Sequence, residues 1–406
     1  MMKNKWFVLI AAVLSIGLVG CPPKEGAGGA TGTGGTGGGT GGNAGSTTGD
    51  ILVGEFGSLT GTQATFGTST HQGIILAIDE INAVGGVNGR KIKVVTEDDQ
   101  SKQEEAANTV SKLISQNGVI AVLGEVASSA SIAAAPICQG SHVPMITPSS
   151  TNEEVTKKGD YIFRVCFTDD YQGENQAIFA NQWCEQNHKP KNVAILTDVK
   201  SDYSSGLTKV FTQKFQSLGG KVIITQSYAN GDSDFRSQLT TVKATNPSLL
   251  FVPGYYTDIG QIAIQRADLG MSGVPMLGGD GWESPKLIEI GGKALEGCFY
   301  TNHYFADDPS PIVHDFVEKY RTRWGAKPDA LAALGYDATK VLADALKRSG
   351  GKGGSSLRDA IGATKNFIGV TGTITIGPER NAVGKKLVIE EIKNGQLTLK
   401  TTIEPH

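Results

Sequence analysis

Short runs rich in valine and isoleucine alternate with amphipathic segments along most of the chain, and this alternation restricts the fold more than any other feature. The apolar runs predict buried strands at residues 51–57, 92–97, 119–123, 144–147, 193–197, 222–227, 249–252 and 275–277. Between the runs, apolar residues recur at helical spacing, as Ile74, Ile78 and Ile81 do. Alternation of this regularity predicts an α/β fold whose parallel sheets are flanked by helices on both faces.

The alternation runs through two comparable halves, at about residues 50–168 and 169–302. After His303 the chain returns to two long helical patterns, at residues 310–324 and 329–348. It ends in predicted strands at residues 372–376, 385–392 and 396–402. Two similar halves that share a tail predict two lobes joined by several chain crossings. Because ligands of open parallel sheets lie at the C-terminal ends of the strands, we expect one ligand site in the cleft between the lobes.

The N-terminal residues have the pattern of an export signal. Lys3 and Lys5 precede an apolar run over residues 6–19, which is too short to span a membrane comfortably and matches the apolar core of a secretory signal. We therefore predict that residues 1–20 are a signal peptide, cleaved before a lipid-modified Cys21. The alternative is an ordinary signal peptide followed by an incidental cysteine.

The segment after Cys21 is predicted to be a tether. Residues 26–49 are almost entirely glycine, threonine, alanine and serine, which provide no apolar surface to offset the entropy lost on ordering. A flexible coil of this length reaches about 25–30 Å. Residues 21–49 are therefore interpreted as a lipid-anchored linker, and the body of an extracytoplasmic, membrane-attached bacterial protein begins at Asp50.

The net charge of the chain excludes one class of partner. The formal net charge of −3 argues against a nucleic-acid partner, because it implies no basic surface.

Apart from Cys21, the chain has four cysteines, at positions Cys138, Cys166, Cys184 and Cys298. In an oxidising compartment they permit two disulfides in three connectivities, and four buried free thiols are the alternative.

Two loops rich in hydroxyl groups follow neighbouring strands of the first half. Ser128 follows the strand at 119–123, close to the start of a helix near residue 129, where backbone N–H groups favour a bound carboxylate. Ser149 and Thr151 belong to the loop after the strand at 144–147. Together the two loops suit the carboxylate and the ammonium of one small ligand. The alternative for Ser128 is an ordinary helix cap.

The second half offers aromatic and acidic side chains at corresponding positions. Tyr203, Tyr255 and Asp280 each lie beyond the end of a predicted strand. Tyrosines provide apolar walls with a polar tip, and the aspartate is placed to pair with a ligand ammonium. Because Asp-Gly is a common turn dipeptide, the alternative for Asp280 is a turn residue.

The sequence contains no recognisable catalytic or metal-binding constellation. It has no Gly-x-x-x-x-Gly-Lys-Ser/Thr phosphate loop, no Gly-x-Ser-x-Gly elbow and no paired spacing among its six histidines. We therefore expect a binding protein with no catalytic residues, no metal and no cofactor.

Several motifs of the body resemble those of one family. They are GSLTG at 57–61, AIDEIN at 77–82, GGVNG at 85–89, EDD at 97–99, MITPSST at 145–151 and GGDGW at 278–282. With them, the chain from Asp50 onward resembles the type I periplasmic binding proteins of the leucine/isoleucine/valine-binding lineage, the solute receptors of ABC importers. The resemblance implies a three-crossing hinge near Thr168, His303 and Val388. It divides the chain into one lobe of residues 50–168 with 303–387 and a second of residues 169–302 with 388–406.

The resemblance also implies which residues hold the head group of an amino acid. The family's contacts to the α-carboxylate fall on Ser128 and on the loop from Ser149 to Thr151. Its contacts to the ammonium fall on the Ser149 carbonyl, Thr151 and Asp280. Branched-chain binders of this lineage have a glutamate where Asp280 stands, so the reach of the acid differs here.

The aromatic residues of the family's pocket fall on Phe66, Tyr203 and Tyr255, with Tyr171 at the rim. Phe66 stands where the branched-chain binders have a tyrosine, so the ligand's side chain cannot be copied from the family. Any disulfide is expected to stay within one lobe, because a bridge across the cleft would lock the hinge.

The function that the resemblance implies is that of a monomeric receptor, which traps a small molecule by hinge closure and delivers it to an ABC permease in the membrane. An amino acid is the expected ligand, and a branched-chain one leads. Two alternatives stay open: a ligand-sensing module for a membrane signalling partner, and a receptor for an amide, urea or aromatic acid.

Overall fold

The structure, a computed structural model, describes residues 49–405. The predicted signal peptide, the lipid attachment at Cys21 and almost all of the linker lie outside the described residues. Within 49–405 the chain forms sheets of mainly parallel strands flanked by helices, which confirms the predicted α/β fold. No helix in this range is both long and apolar enough to cross a membrane.

Strands and helices follow one another along the described chain. The strands are β1 (Ile51–Gly57), β2 (Ile92–Asp98), β3 (Val122–Leu123), β4 (Met145–Thr147), β5 (Ile162–Arg164), β6 (Asn192–Asp198), β7 (Lys221–Tyr228), β8 (Leu249–Phe251), β9 (Met276–Gly278), β10 (Phe299–Asn302), β11 (Phe367–Gly369), β12 (Gly372–Ile376), β13 (Ala382–Val383), β14 (Leu387–Lys393) and β15 (Gln396–Ile403). The helices are α1 (Ala64–Ala83), α2 (Gln103–Ser115), α3 (Ser128–Gly140), α4 (Glu154–Lys157), α5 (Asp169–Gln186), α6 (Asp202–Ser217), α7 (Arg236–Ala244), α8 (Tyr256–Asp268), α9 (Pro285–Gly291), α10 (Pro311–Trp324), α11 (Ala330–Arg348) and α12 (Gly354–Gly362).

The first sheet has the strand order β2-β1-β3-β4-β5, and every neighbouring pair is parallel. Its central strands are buried on both faces because helices cover both. The side chains of α1 and α11 pack around Ile51 and Val53 on one face, and those of α2 and α3 pack around Phe56 on the other. A Cβ at Gly73 of α1 would lie 1.9 Å from the carbonyl oxygen of Ala332, so α1 and α11 can touch only because this residue is glycine.

The second sheet has the strand order β15-β14-β10-β9-β8-β6-β7. Its strands from β7 to β10 are parallel, whereas β14 and β15 join them antiparallel. The chain therefore passes between the two sheets after β5, after β10 and before β14. The lobe boundaries and hinge positions given above stay a prediction. We refer to the elements packed on the two sheets as the first-sheet side and the second-sheet side.

Some short elements differ from the sequence-based expectation. β5, β10, β11 and β13 have no counterpart among the predicted strands. The strand predicted at 119–123 is reduced to Val122–Leu123. The four cysteines of the described range are buried and free, which is the second of the two alternatives above.

Candidate functional site

A small cavity lies between the two sheets, at the C-terminal ends of their strands. Its lining residues are Phe66, Val126, Ser128, Ser149, Thr151, Tyr203, Tyr255, Asp280, Gly281 and Leu331. This is the edge where ligands of open parallel sheets are expected. The set contains every residue predicted to bind the ligand except Tyr171.

Ser128 is the first residue of α3 and does not cap it. The N-cap position belongs to Ala127, and no side chain caps this helix. The Ser128 hydroxyl oxygen instead accepts a hydrogen bond of 3.2 Å from the Asn152 N–H, which ties the two hydroxyl-rich loops together. Its hydroxyl hydrogen remains available to a ligand, as do the unpaired backbone amides of the first helical turn.

The loop that carries Ser149 and Thr151 is held from beneath by a buried cation. Arg164 of β5 donates from Nη1 to the Ser150 carbonyl and from Nη2 to the Asn152 carbonyl, both at 2.7 Å. A planar guanidinium can hold two carbonyls in a fixed relation, which a lysine cannot do. Arg164 is therefore placed to keep the Ser149 and Thr151 groups directed at the cavity.

Two buried polar groups beside this loop have no partner among residues 49–405 other than each other. They are the Thr151 hydroxyl and the carboxyl group of Asp169, the first residue of α5. Burial raises the pKa of Asp169 well above its ordinary value. The Thr151 hydroxyl lies on the cavity wall beside Asp169, and its oxygen can accept a hydrogen bond from a ligand donor.

Asp280 follows β9 and is the first residue of a short 3-10 turn. Its carboxylate is also buried. Its Oδ1 atom accepts hydrogen bonds from Gln172 Nε2 and from the Tyr203 hydroxyl, each at 2.9 Å. Its Oδ2 atom accepts one from His303 Nε2, also at 2.9 Å. A carboxylate offers about four acceptor positions, so one position on Oδ2 stays open for a ligand donor.

The donors around Asp280 keep their protons. Burial, and then the charge of Asp280, raises the pKa of the Tyr203 phenol well above its ordinary value. Burial lowers the pKa of His303, so the neutral ring donates from Nε2. The ring also stacks on Phe167, with centroids 3.8 Å apart, which fixes its orientation. These contacts hold the carboxylate in one position before any ligand contact is made.

Aromatic rings form the apolar part of the wall. Tyr203 and Tyr255 stack with centroids 5.3 Å apart, and Phe66 meets Tyr255 edge-on at 5.6 Å. Val126 and Leu331 complete this surface. The arrangement suits an aliphatic group, because the remaining wall has no further charge to pair.

Tyr171 lies outside the cavity that the other predicted residues share. It belongs to the first turn of α5, and its ring packs 6.2 Å from that of Phe167. It lines a separate hollow together with Thr168, Val383 and Lys385. The first turn of α5 directs Asp169 inward, and Tyr171, two residues later, therefore faces another direction.

Residues that the sequence did not single out complete the site. Val126, Gly281 and Leu331 line the cavity, and Gln172 and Arg164 hold its polar groups. Leu331 has the spacing of an ordinary core residue of α11, and a buried arginine has no sequence signature. Among these residues, only Gln172, near the start of the helix that follows β5, has a position that marks it as a candidate.

A family model described as periplasmic binding protein matches residues 50–396. The chain belongs to this family. Membership implies that this periplasmic binding protein lies outside the cytoplasm and binds a solute rather than transforming it.

Three relatives extend the comparison. The structure of a leucine-binding protein, LivK, from Thermotoga maritima is 38% identical, covers 87% of this chain and 99% of its own, and has a TM-score of 0.82. The branched-chain amino acid substrate-binding protein LivJ from Streptococcus pneumoniae, solved with isoleucine, is 32% identical, covers 88% and 100%, and has a TM-score of 0.81. Leu/Ile/Val-binding protein homolog 2 of Brucella abortus is 31% identical over 86% of this chain and 91% of its own. These matches confirm the resemblance to the leucine/isoleucine/valine-binding lineage.

Proposed function

We propose that this periplasmic binding protein is the solute receptor of an ABC importer and binds a branched-chain amino acid in the cavity. The observation that carries the proposal is the arrangement of polar groups in so small a space. Hydroxyl groups and helix amides lie on the first-sheet side, a carboxylate lies opposite, and the rest is apolar.

The ligand's head group would bind at both sides of the cavity. Ser128 and the first turn of α3 donate to the carboxylate, which helix N-termini favour. The ammonium donates to the Ser149 carbonyl, to the Thr151 hydroxyl and to the open position on Asp280. The position of the Thr151 hydroxyl, on the cavity wall beside the buried acid Asp169, supports this assignment.

The ligand's side chain would contact Phe66, Val126 and Leu331. These side chains are apolar and buried, so they favour an aliphatic group over a polar one. The two related structures named for leucine and for isoleucine support this choice of ligand. We expect Phe66, together with Val126 and Leu331, to influence the choice among aliphatic ligands.

Binding is coupled to closure of the two sides. The ligand docks on Ser128, Ser149 and Thr151, and closure then brings Tyr203 and Asp280 onto it. A ligand drives closure only through contacts that exist in the closed form alone. The Asp280 contact is of this kind, since this residue belongs to the opposite side.

Calorimetry with a matched set of ligands tests the proposed ligand. Leucine, isoleucine and valine should bind, whereas 4-methylpentanoate, which lacks the ammonium, and 3-methylbutylamine, which lacks the carboxylate, should bind at least about 100-fold more weakly. Equal binding of leucine and 4-methylpentanoate would contradict the proposal. Benzoate, acetamide and urea belong in the panel, because strong binding of any of them would favour the alternative ligand class.

Attachment through Cys21 and delivery to a permease complete the proposal. The described residues 49–405 include no membrane helix, so membrane attachment would depend on the lipidated cysteine. Cys21→Ser should release the protein from the membrane fraction and leave its ligand affinity unchanged. Uptake of labelled ligand by cells should stop when the gene is deleted; unchanged uptake with a lost growth response would favour sensing instead.

A further inference from the structure

Residues that line the cavity on the first-sheet side have sequence neighbours that bond across the cleft. Ser129 follows Ser128, and its hydroxyl donates to Asp202 Oδ2 at 2.8 Å while it accepts from the Asp202 N–H at 3.0 Å. Asn152 follows Thr151, and its Nδ2 atom donates to the Asp202 carbonyl at 2.7 Å. Asp202 itself begins α6, which packs on the second sheet.

The same pattern occurs at the other end of the cavity. Thr65 and Ala330 each precede a lining residue. The hydroxyls of Thr65 and Ser284 lie 2.9 Å apart, and the Ala330 N–H donates to Glu283 Oε1 at 3.1 Å. Ser284 and Glu283 lie between the Asp280 turn and α9, on the second-sheet side. The ligand contacts are therefore bracketed by direct bonds between the two sides.

We propose that these four contacts, which we call the cross-cleft bonds, hold the closed form and set the affinity for every ligand by the same factor. The inference rests on the proposed closure of the cleft. None of the cross-cleft partners lines the cavity, so none can distinguish one ligand from another. They act on the balance between open and closed forms, whereas the lining residues act on the choice of ligand.

The size of the effect follows from linkage. The apparent dissociation constant rises in proportion as the closed, binding-competent fraction falls. Asp202 is exposed and Ser129 is half-buried, so solvent weakens their bonds relative to those of a fully buried charged pair. Loss of the Ser129 bonds should therefore raise the dissociation constant by about 3- to 10-fold.

The test is Ser129→Ala, which removes both bonds of this hydroxyl and keeps the helix. The dissociation constants of leucine, isoleucine and valine should all rise by one common factor, and the increase should lie in the dissociation rate. Thr65→Ala should behave in the same way at the other end of the cavity. In the double variant the two factors should multiply, because the two contacts share no partner.

Ser115→Ala is the matched control, since this exposed serine bonds only to the Ser111 carbonyl within its own helix. The control should leave every affinity unchanged. The inference is overturned if Ser129→Ala leaves the dissociation constants unchanged, or if it alters the ratio between leucine and valine. A changed ratio would mean that the residue acts on the ligand contact and not on closure.

A second measurement separates closure from a general loss of structure. Small-angle scattering during ligand titration should show Ser129→Ala reaching the same compact form as the wild type at saturation, but at higher ligand concentration. Failure to reach the compact form at saturation would also overturn the inference. The proposed ligand class is tested on the wild-type protein alone. The role of the cross-cleft bonds is tested by the ratio of the variant's dissociation constant to that of the wild type, measured with whichever ligand of the panel binds. Failure of the proposed ligand class and failure of the inference about closure are therefore distinguishable.

Discussion

Asp280 lines the cavity on one side and Glu125 lies behind the opposite wall; both are buried acids, and their surroundings give them opposite roles. Asp280 is surrounded by donors from Gln172, Tyr203 and His303, so its carboxylate is satisfied as an acceptor. Glu125 lies one layer behind Ser128 and faces another acid, Asp99, across a serine hydroxyl. The comparison shows that the count of donors and acceptors around an acid decides whether it serves as a charge or as a neutral group.

The number of hydrogen-bond donors around Glu125 requires that Glu125 or Asp99 carries a proton. The Ser58 hydroxyl has one hydrogen, yet its oxygen lies 2.9 Å from Asp99 Oδ1 and 3.1 Å from Glu125 Oε1. One of these contacts is a hydrogen bond only if a carboxyl group carries a proton. Burial raises the pKa of Glu125 to about 8 and that of Asp99 to about 6, in the direction that this geometry demands.

The largest expected effect tests the charged role of Asp280. Asp280→Ala should weaken leucine binding by about 2–5 kcal/mol, because the ligand ammonium loses its partner in a buried site. Binding of 4-methylpentanoate should change much less, since this ligand has no ammonium. Calorimetry with the two ligands measures the difference.

The matched control for Asp280 is Asp234→Ala, which removes an acid that is 68% exposed on the same side of the molecule. It should leave leucine affinity unchanged. Unaltered affinity for every amino acid in Asp280→Ala would refute the assignment and would remove the contrast with Glu125.

The next effect tests the neutral role of Glu125. Its pKa in the folded protein lies above its ordinary value of 4.5, so the folded state keeps a proton that the unfolded chain has released. The stability that Glu125 contributes is therefore fully present below pH 4.5, and it is lost as the pH rises toward about 8. At about 1.36 kcal/mol per pKa unit, the shift from 4.5 to about 8 corresponds to at most about 5 kcal/mol of that loss. Thermal unfolding between pH 5 and pH 9 measures it.

Glu125→Gln should make the unfolding temperature less dependent on pH than in the wild type. Some dependence should persist, because burial also raises the pKa of Glu283 to about 8 and that of Asp258 to about 7. Glu289→Gln, a change at an exposed acid, is the control and should keep the wild-type slope. A wild-type slope in Glu125→Gln would show that Glu125 is ionised in the folded protein.

The contrast between the two acids also explains how far sequence reasoning extends. Alternation of strand and helix is local, and it was sufficient for the fold and for the strand ends where Ser128 and Asp280 lie. The partners of each acid come from distant segments: Gln172 is 108 residues from Asp280, and Ser58 is 67 residues from Glu125. No local pattern predicts such pairings, so the protonation of Glu125 follows only from the structure.

A smaller effect concerns the side-chain end of the cavity, where neither acid acts. Leu331→Ala should weaken leucine and isoleucine binding by about 1–3 kcal/mol, because it removes apolar contact and leaves a void. Valine should lose less, and phenylalanine should gain affinity relative to leucine. Competition binding with these four ligands measures the change, and Leu357→Ala, at a buried leucine outside the cavity, is the control. Equal losses of affinity for all four ligands would mean that Leu331 acts on closure of the cleft, as the cross-cleft bonds do, and not on the choice of ligand.

The smallest expected effect is at Phe66, where the resemblance to branched-chain binders implies a tyrosine. Phe66→Tyr adds a hydroxyl to a ring that is 1% exposed, and the other apolar lining residues on its side, Val126 and Leu331, offer it no hydrogen bond. The hydroxyl must either displace apolar ligand volume or lose its own solvation, so leucine affinity should fall by about 1 kcal/mol. The loss for valine should be smaller, because a shorter side chain leaves more room in the cavity. Calorimetry on both ligands checks the order. A gain in leucine affinity would mean that the added hydroxyl bonds to a partner across the cleft. Position 66 would then belong with the polar contacts around Asp280 and not with the apolar wall.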